Sequence, residues 1–183
     1  WKDDFFMKKY ILLVLAIIAS IYVFKNFDKK ETVIPDEAIR FRVIANSNTV
    51  YDQNIKIQVR NVIQNKIFEL LNGVDDINKT RTIINENIDE INTLVDSTLK
   101  KLNYDKDFKV KYGYNYFPKK EYKGITYKEG EYESLVITLG SGDGDNWWCV
   151  LFPPLCLLEA DEESVKDADY TFFVKELVDK YFK

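Results

Sequence analysis

Cys149 and Cys156 are the only thiols in this chain, and it contains no histidine. Those two facts narrow the chemistry at once. Ser-His-Asp and Cys-His nucleophilic machinery both need an imidazole base. A structural zinc site needs four ligands drawn mainly from Cys and His, and two cysteines do not fill that shell. The glycine-rich run Gly140-Ser141-Gly142-Asp143-Gly144-Asp145 suggests a phosphate or calcium loop. It lacks the lysine and Ser/Thr of a P-loop. With Asp143 at the first EF-hand position, the twelfth falls on Pro154, where a bidentate glutamate is required. The run reads instead as a hairpin turn. Glu131 with Glu133, and Asp161 with Glu162 and Glu163, could form the carboxylate pair of a glycosidase, but acids beside strands usually lie on solvated faces. The sequence thus calls for no catalytic residue, metal or cofactor.

The cysteines bracket the most distinctive stretch, Trp147-Trp148-Cys149-Val150-Leu151-Phe152-Pro153-Pro154-Leu155-Cys156. Alternate residues of a strand point to opposite faces. As a strand, Trp147–Phe152 places Trp147, Cys149 and Leu151 on one face and Trp148, Val150 and Phe152 on the other. Either both faces are covered within the chain, or one is an apolar surface that meets a partner. In an exported chain the two cysteines read as a disulfide around the Pro153-Pro154 turn, worth roughly 2.5 kcal/mol in the chain-entropy model. The alternative is two free buried thiols.

A third cluster is Arg40, Arg42 and the loop Asn46–Asp52. Ile39, Phe41 and Val43 alternate with the arginines, which predicts a half-buried strand with a basic outer face. That face is either simply solvated or the polar rim of an apolar partner surface. On the partner reading, Trp147, Trp148, Phe152, Pro153 and Pro154 supply the apolar anchor, and Arg40, Arg42 and Asn46 the rim.

The elements that must position these groups follow from periodicity. After the strand Ala38–Ala45, Thr49 and Asp52 form a capping-box pattern. A helix follows with Ile55, Val59, Val62, Ile63, Ile67, Leu70 and Leu71 on one face, stopped by Asn72-Gly73. A second helix runs from Asp75 or Asp76 through Ile77, Ile84, Ile88, Ile91, Val95, Leu99 and Leu102 to Asn103. Phe108, Val110, Tyr112, Tyr114 and Tyr116 alternate as a strand with one aromatic face. Pro118 and Gly124 bound a turn region, and Ile125–Tyr127 reads as a short strand. Tyr132–Leu139 alternates again, and Trp147–Phe152 is expected to pair back on it as a hairpin. In the tail, Ser164 and Asp167 suggest a helix cap, Tyr170, Phe172 and Val174 alternate like a strand, and Glu176–Phe182 is helical. The predicted fold is α+β: helices packed on one face of a mixed or mainly antiparallel sheet.

Before this domain, Lys8-Lys9 precede an uncharged apolar run from Tyr10 to Phe24. A basic start, apolar middle and polar flank describe an export signal or membrane anchor. As a helix the run reaches about 22 Å, short of the roughly 30 Å of bilayer hydrocarbon. The expected organisation is a leader over residues 1–25, a linker over 26–37 and a single domain over 38–183. The net charge of −4 argues against nucleic acid as a partner.

Several of these blocks resemble the stage II sporulation protein R family. They are Ile39–Asn48, Asp52-Gln53, Lys56–Arg60, Tyr116-Phe117-Pro118, Gly130-Glu131-Tyr132 and Asn146–Cys156. The family commonly has histidine where this chain has Arg42. The resemblance implies a protein exported from the forespore into the space between the two septal membranes. It further implies activation there of a membrane-embedded, aspartic-type protease of the mother cell that cleaves pro-sigma-E. Such a protein is a ligand and not an enzyme, with membrane contact at least transiently through its leader and an unspecified number of copies. The competing expectations are an exported peptidoglycan hydrolase using a carboxylate pair, and a tethered structural envelope protein.

Overall fold

The computed structural model describes residues 14–15, 17–18, 20, 32–122, 125–156 and 167–182. They belong to two units, Trp1–Thr32 and Val33–Lys183. In the first, Val14, Leu15, Ile17, Ile18 and Ser20 are helical and exposed. Among the described residues no helix is long and apolar enough to cross a membrane. The remainder of the expected leader, linker residues 26–31, Gly124, the acids Asp161–Glu163 and Ser164 lie outside the described residues.

The second unit is α+β, as expected. Strand β2 (Ile39–Ile44) leads through a tight polar loop into helix α1 (Val50–Leu71). Thr49 caps that helix, its hydroxyl accepting from the Asp52 N–H at 3.2 Å. Ile55, Val59, Ile63 and Ile67 form its buried stripe. Gly73, at φ +74, supplies the left-handed residue that ends it.

The expected second helix is two helices, α2 (Ile77–Glu86) and α3 (Ile88–Lys101). The break is at Asn87, whose φ of −105 and ψ of 9 leave the helical region. Its side-chain amide donates to the Ile83 carbonyl at 2.8 Å, the local competition that makes asparagine a poor interior residue. Asn103 then adopts φ 52 and closes α3. The tail alternation at Tyr170, Phe172 and Val174 is helical, within α4 (Asp167–Phe182).

The main sheet has the order β3–β6–β2–β7, with β3 at Phe108–Phe117, β6 at Gly130–Leu139 and β7 at Asn146–Phe152. A smaller sheet has the order β1–β5–β4, with β1 at Thr32–Val33, β4 at Lys120–Tyr122 and β5 at Ile125–Tyr127. The expected β6–β7 hairpin does not form. Strand β2 lies between them, parallel to β6 and antiparallel to β7. The Gly140–Asp145 run is therefore a crossover over the end of β2, spanning about two strand spacings of ~4.8 Å, not a hairpin turn. Alternation sees only the strands themselves, whereas the insertion of β2 depends on pairing over long sequence distance.

Helices α1, α2 and α3 pack on one face of this sheet, while Val174, Leu177 and Val178 of α4 join a second cluster with Ile34, Ala38, Ile125, Val150 and Leu155. Phe41, Val43, Leu135, Ile137, Leu139, Cys149 and Leu151 meet the apolar stripes of α1, α2 and α3 on the first face. Tyr112 of β3 joins them, but Tyr114 and Tyr116 run on past the helices and are exposed.

Candidate functional site

Cys149 and Cys156 are joined in a disulfide. It closes the corner where β7 ends, and the Gln64 side chain on α1 donates to the Cys156 carbonyl at 3.1 Å. The β2–β7 register slips between Ile39 and Arg40, so Val150 opposes Arg40 while Phe152 opposes Ile39. One residue, Leu151, is extra on β7, and such a bulge resets which side chain faces which way. This corrects the expected alternation. Trp148 and Val150 share the second face, but Phe152 turns back into the core. It is 4 % exposed, with the Tyr181 and Phe182 rings of α4 at 5.0 and 6.1 Å. Pro153 is buried too, and Pro154 is half-buried. Phe152 and Pro153 are thus packing residues, not exposed anchors.

The expected basic outer face is also corrected. Arg40 is 2 % exposed. Its guanidinium lies 3.3 Å from the Tyr132 ring centroid, with Phe117 at 5.2 Å and Tyr127 at 5.8 Å. None of its three guanidinium nitrogens has a hydrogen-bond partner among the described residues. Burial holds its pKa below the usual arginine value, and nearby Tyr132, Tyr127 and Asp36 oppose that shift. The aromatic box comes from β3, β5 and β6, far away in sequence, so no local pattern announces it. A rim contact would require this residue to be exposed.

Arg42 and Trp148 face one another across β2 and β7. Both are half-buried. The Arg42 guanidinium lies 5.6 Å from the Trp148 ring and 5.6 Å from the Phe117 ring. Phe117 stands edge-on to Trp148 at 5.3 Å, and the Lys120 ammonium lies over the indole at 5.0 Å. The indole N–H of Trp148 and Nε of Arg42 are without hydrogen-bond partners among the described residues. Desolvation lowers the Arg42 pKa. On the helix side, Trp147 packs edge-on against Phe41 at 5.5 Å and lies under the Arg60 guanidinium at 4.9 Å. Phe117, Lys120, Lys56 and Arg60 were not singled out as site residues from the sequence; the i, i+4 placement of Lys56 and Arg60 on α1 was a legible signal for that pair.

Asn46 is consumed internally. Its amide donates to Asp52 Oδ2 at 2.7 Å, and its side-chain oxygen accepts from the Ser141 N–H at 3.1 Å. Its carbonyl accepts from Asp143 N–H at 3.2 Å, while Asn48 Oδ1 accepts from Asp145 N–H at 2.6 Å. Ser47 Oγ donates to the same Asp52 oxygen at 2.5 Å. These bonds hold the Asp52 pKa below the ordinary carboxylate value. At Gly144 an added Cβ would lie 2.4 Å from the Ser47 carbonyl oxygen, so the glycine is required by the close approach of two backbones. The Asn46–Lys56 motif therefore fastens the crossover to the start of α1.

Glu133 spends both carboxylate oxygens on structure. Oε2 pairs with Arg81 Nε at 2.7 Å, and Oε1 accepts from the Tyr112 hydroxyl at 2.7 Å. Burial first, then Glu133, push the Tyr112 phenol far above its ordinary value. Glu131 points to solvent. Among the described residues no group of three or more Cys, Asp or Glu is arranged to hold a metal.

The fold and this corner define an α+β domain with a disulfide-closed edge strand and a cation-lined aromatic surface. The profile of the family described as Stage II sporulation protein R matches residues 35–162. The chain is also 38 % identical over 143 residues to Stage II sporulation protein R of Bacillus subtilis (strain 168). That match takes in 78 % of this chain and 64 % of the relative's length. No solved structure matches the chain. The chain belongs to the stage II sporulation protein R family.

Proposed function

We propose that this protein is an exported signalling ligand. It leaves the forespore, reaches the space between the septal membranes and activates a membrane-embedded protease in the mother-cell membrane, which then cleaves pro-sigma-E. Membership of a stage II sporulation family supports the sporulation setting. The observation that carries the ligand reading is Trp148: a half-buried indole between Arg42 and Lys120 and not sealed in the core. Large aromatics and arginines are the groups that dominate binding energy at interfaces.

Activation by binding needs no bond-making by the ligand. It needs a ligand that prefers the active form of its receptor. Moving a receptor from almost wholly inactive to almost wholly active takes about a 10⁴-fold preference. The contact set proposed from the structure is Trp147, Trp148, Arg42 and the half-buried Pro154. Arg40 and Phe152 support it from beneath, and Asn46 fixes the loop beside it.

The test is Trp148→Ala and, separately, Arg42→Ala in a sporulating strain, reading pro-sigma-E cleavage while monitoring export and folding. Each folded, exported variant is expected to lose most cleavage. Full cleavage by either would remove that residue from the contact set, and full cleavage by both would remove the surface.

A further inference from the structure

Strand β7 is an edge: among the described residues it pairs with β2 alone. In an antiparallel pair, only alternate residues direct N–H and C=O toward the neighbour, so the others direct theirs outward; the accessible part of this edge is the half-buried Asn146–Trp148, since Cys149 and Val150 are buried. Such an edge is a template for another strand unless it is guarded.

Cations from three separate elements converge there. Lys56 and Arg60 come from α1, Lys120 from β4 and Arg42 from β2. Lys120 lies over Trp148 and Arg60 over Trp147, so the two indoles and their cations flank the strand on both faces. Lys56 donates to the Asp145 carbonyl at 3.1 Å and to Gln53 at 2.6 Å. It is nevertheless held below its usual pKa by burial, with Arg60 and Lys120 adding repulsion and Asp145 opposing. Among the described residues none of these four cations has a carboxylate within ion-pair distance. Elsewhere Lys66 pairs with Glu90 at 2.6 Å and Arg81 with Glu133 at 2.7 Å. Lys56 is buried, but the half-buried Arg42 and Arg60 and the exposed Lys120, on a chain of net charge −4, are placed to meet acids supplied from outside.

We infer that the β7 edge at Asn146–Trp148 receives an extended acidic segment of the partner as an added strand. Its backbone pairs with β7, and its carboxylates, all on one side of an alternating segment, meet Arg42 and Lys120 on the Trp148 side. This rests on the ligand reading above for its biological setting, but the binding chemistry is tested apart from sporulation. Strand addition supplies affinity through main-chain bonds, and the flanking side chains supply selectivity.

The experiment uses the purified full chain and a ten-residue peptide alternating Glu and Val. Controls are the same peptide with Gln for Glu, and phosphatidylglycerol vesicles. Tryptophan fluorescence reads affinity, and amide hydrogen exchange reads location. The Glu peptide is expected to bind, to slow amide exchange within Asn146–Trp148 and to weaken with added salt. The Gln peptide is expected to bind about tenfold more weakly, as is the Glu peptide to Lys120→Glu, an exposed position whose charge reversal is expected to leave the melting temperature unchanged. Equal binding of both peptides would overturn the inference, as would protection away from β7. So would binding to vesicles without binding to the peptide. Self-association of Lys120→Glu with no peptide binding to the parent protein would also overturn it, showing that the cations only keep copies of the chain apart.

Discussion

The two faces of the four-stranded sheet are built on opposite principles. The helix-covered face is apolar, with Phe41, Val43, Leu135, Ile137 and Leu139 filled in by the stripes of α1 and α3. The other face carries two arginines, Arg40 and Arg42, among Phe117, Tyr132 and Trp148, and spends burial on groups that retain unused donors. Apolar burial is non-directional and stabilises in proportion to area. A desolvated cation without a carboxylate gains little stability, because its desolvation cost is offset only by ring contacts. One face therefore holds most of the apolar core, and the other adds a smaller apolar cluster around Ile34, Ile125, Val150 and Leu155 beside its desolvated arginines.

That contrast predicts a graded series of stability effects, read by urea unfolding of purified protein. Phe41→Ala, at 0 % exposure and in contact with Trp147, is expected to destabilise most, by about 3–5 kcal/mol. Replacing both Cys149 and Cys156 by alanine is expected to cost roughly 2.5 kcal/mol and to leave secondary structure intact. Glu133→Gln breaks the charged link from sheet to α2 and is expected to cost about 1–2 kcal/mol, limited by the partial exposure of Arg81. A loss at the Phe41 scale for Glu133 would place the main stabilisation in the polar brace and reverse the contrast.

The Asp52 knot gives a pH signature. The folded-state pKa of Asp52 is lowered by bonds from Asn46 and Ser47. Its stabilisation is therefore present above the unfolded-state value of about 4 and is lost as pH falls through the lower folded-state value. Stability measured from pH 5 downward is expected to fall, with a shallower slope in Asp52→Asn. Identical slopes would show that Asp52 is not linked to folding. The smallest effect is expected for Arg40→Met, within about 1 kcal/mol of the parent in either direction, because an apolar chain of similar length fits the aromatic box. A loss above roughly 3 kcal/mol there would mean that Arg40 holds the second face as firmly as Phe41 holds the first.

The helix-covered face was legible in the sequence because it repeats locally. The stripes of α1 and α3, the Thr49 cap and the Asn72-Gly73 stop each lie within a few residues of what they govern. The second face was not legible, because its logic is non-local. Arg40 alternates like a solvated residue, and only Tyr132, Phe117 and Tyr127, brought in by other strands, enclose it. Likewise the bulge at Leu151 depends on register with Ile39 and Arg40, and the insertion of β2 depends on parallel pairing with β6. Trp148 and Arg42 are singled out by residue type and Arg60 by its spacing from Lys56, whereas Lys120 is brought to Trp148 only by the fold.

Photo-cross-linking in sporulating cells tests most directly whether the protein works by being held at this edge. A photoreactive amino acid replaces Trp148 on the β7 edge in one strain and Tyr114, 67 % exposed on β3 at the opposite edge, in another. The account predicts adducts between residue 148 and the membrane protease that processes pro-sigma-E, and none from residue 114. Adducts from residue 114 alone, or no protease adduct from residue 148 in an exported protein that still signals, would contradict it.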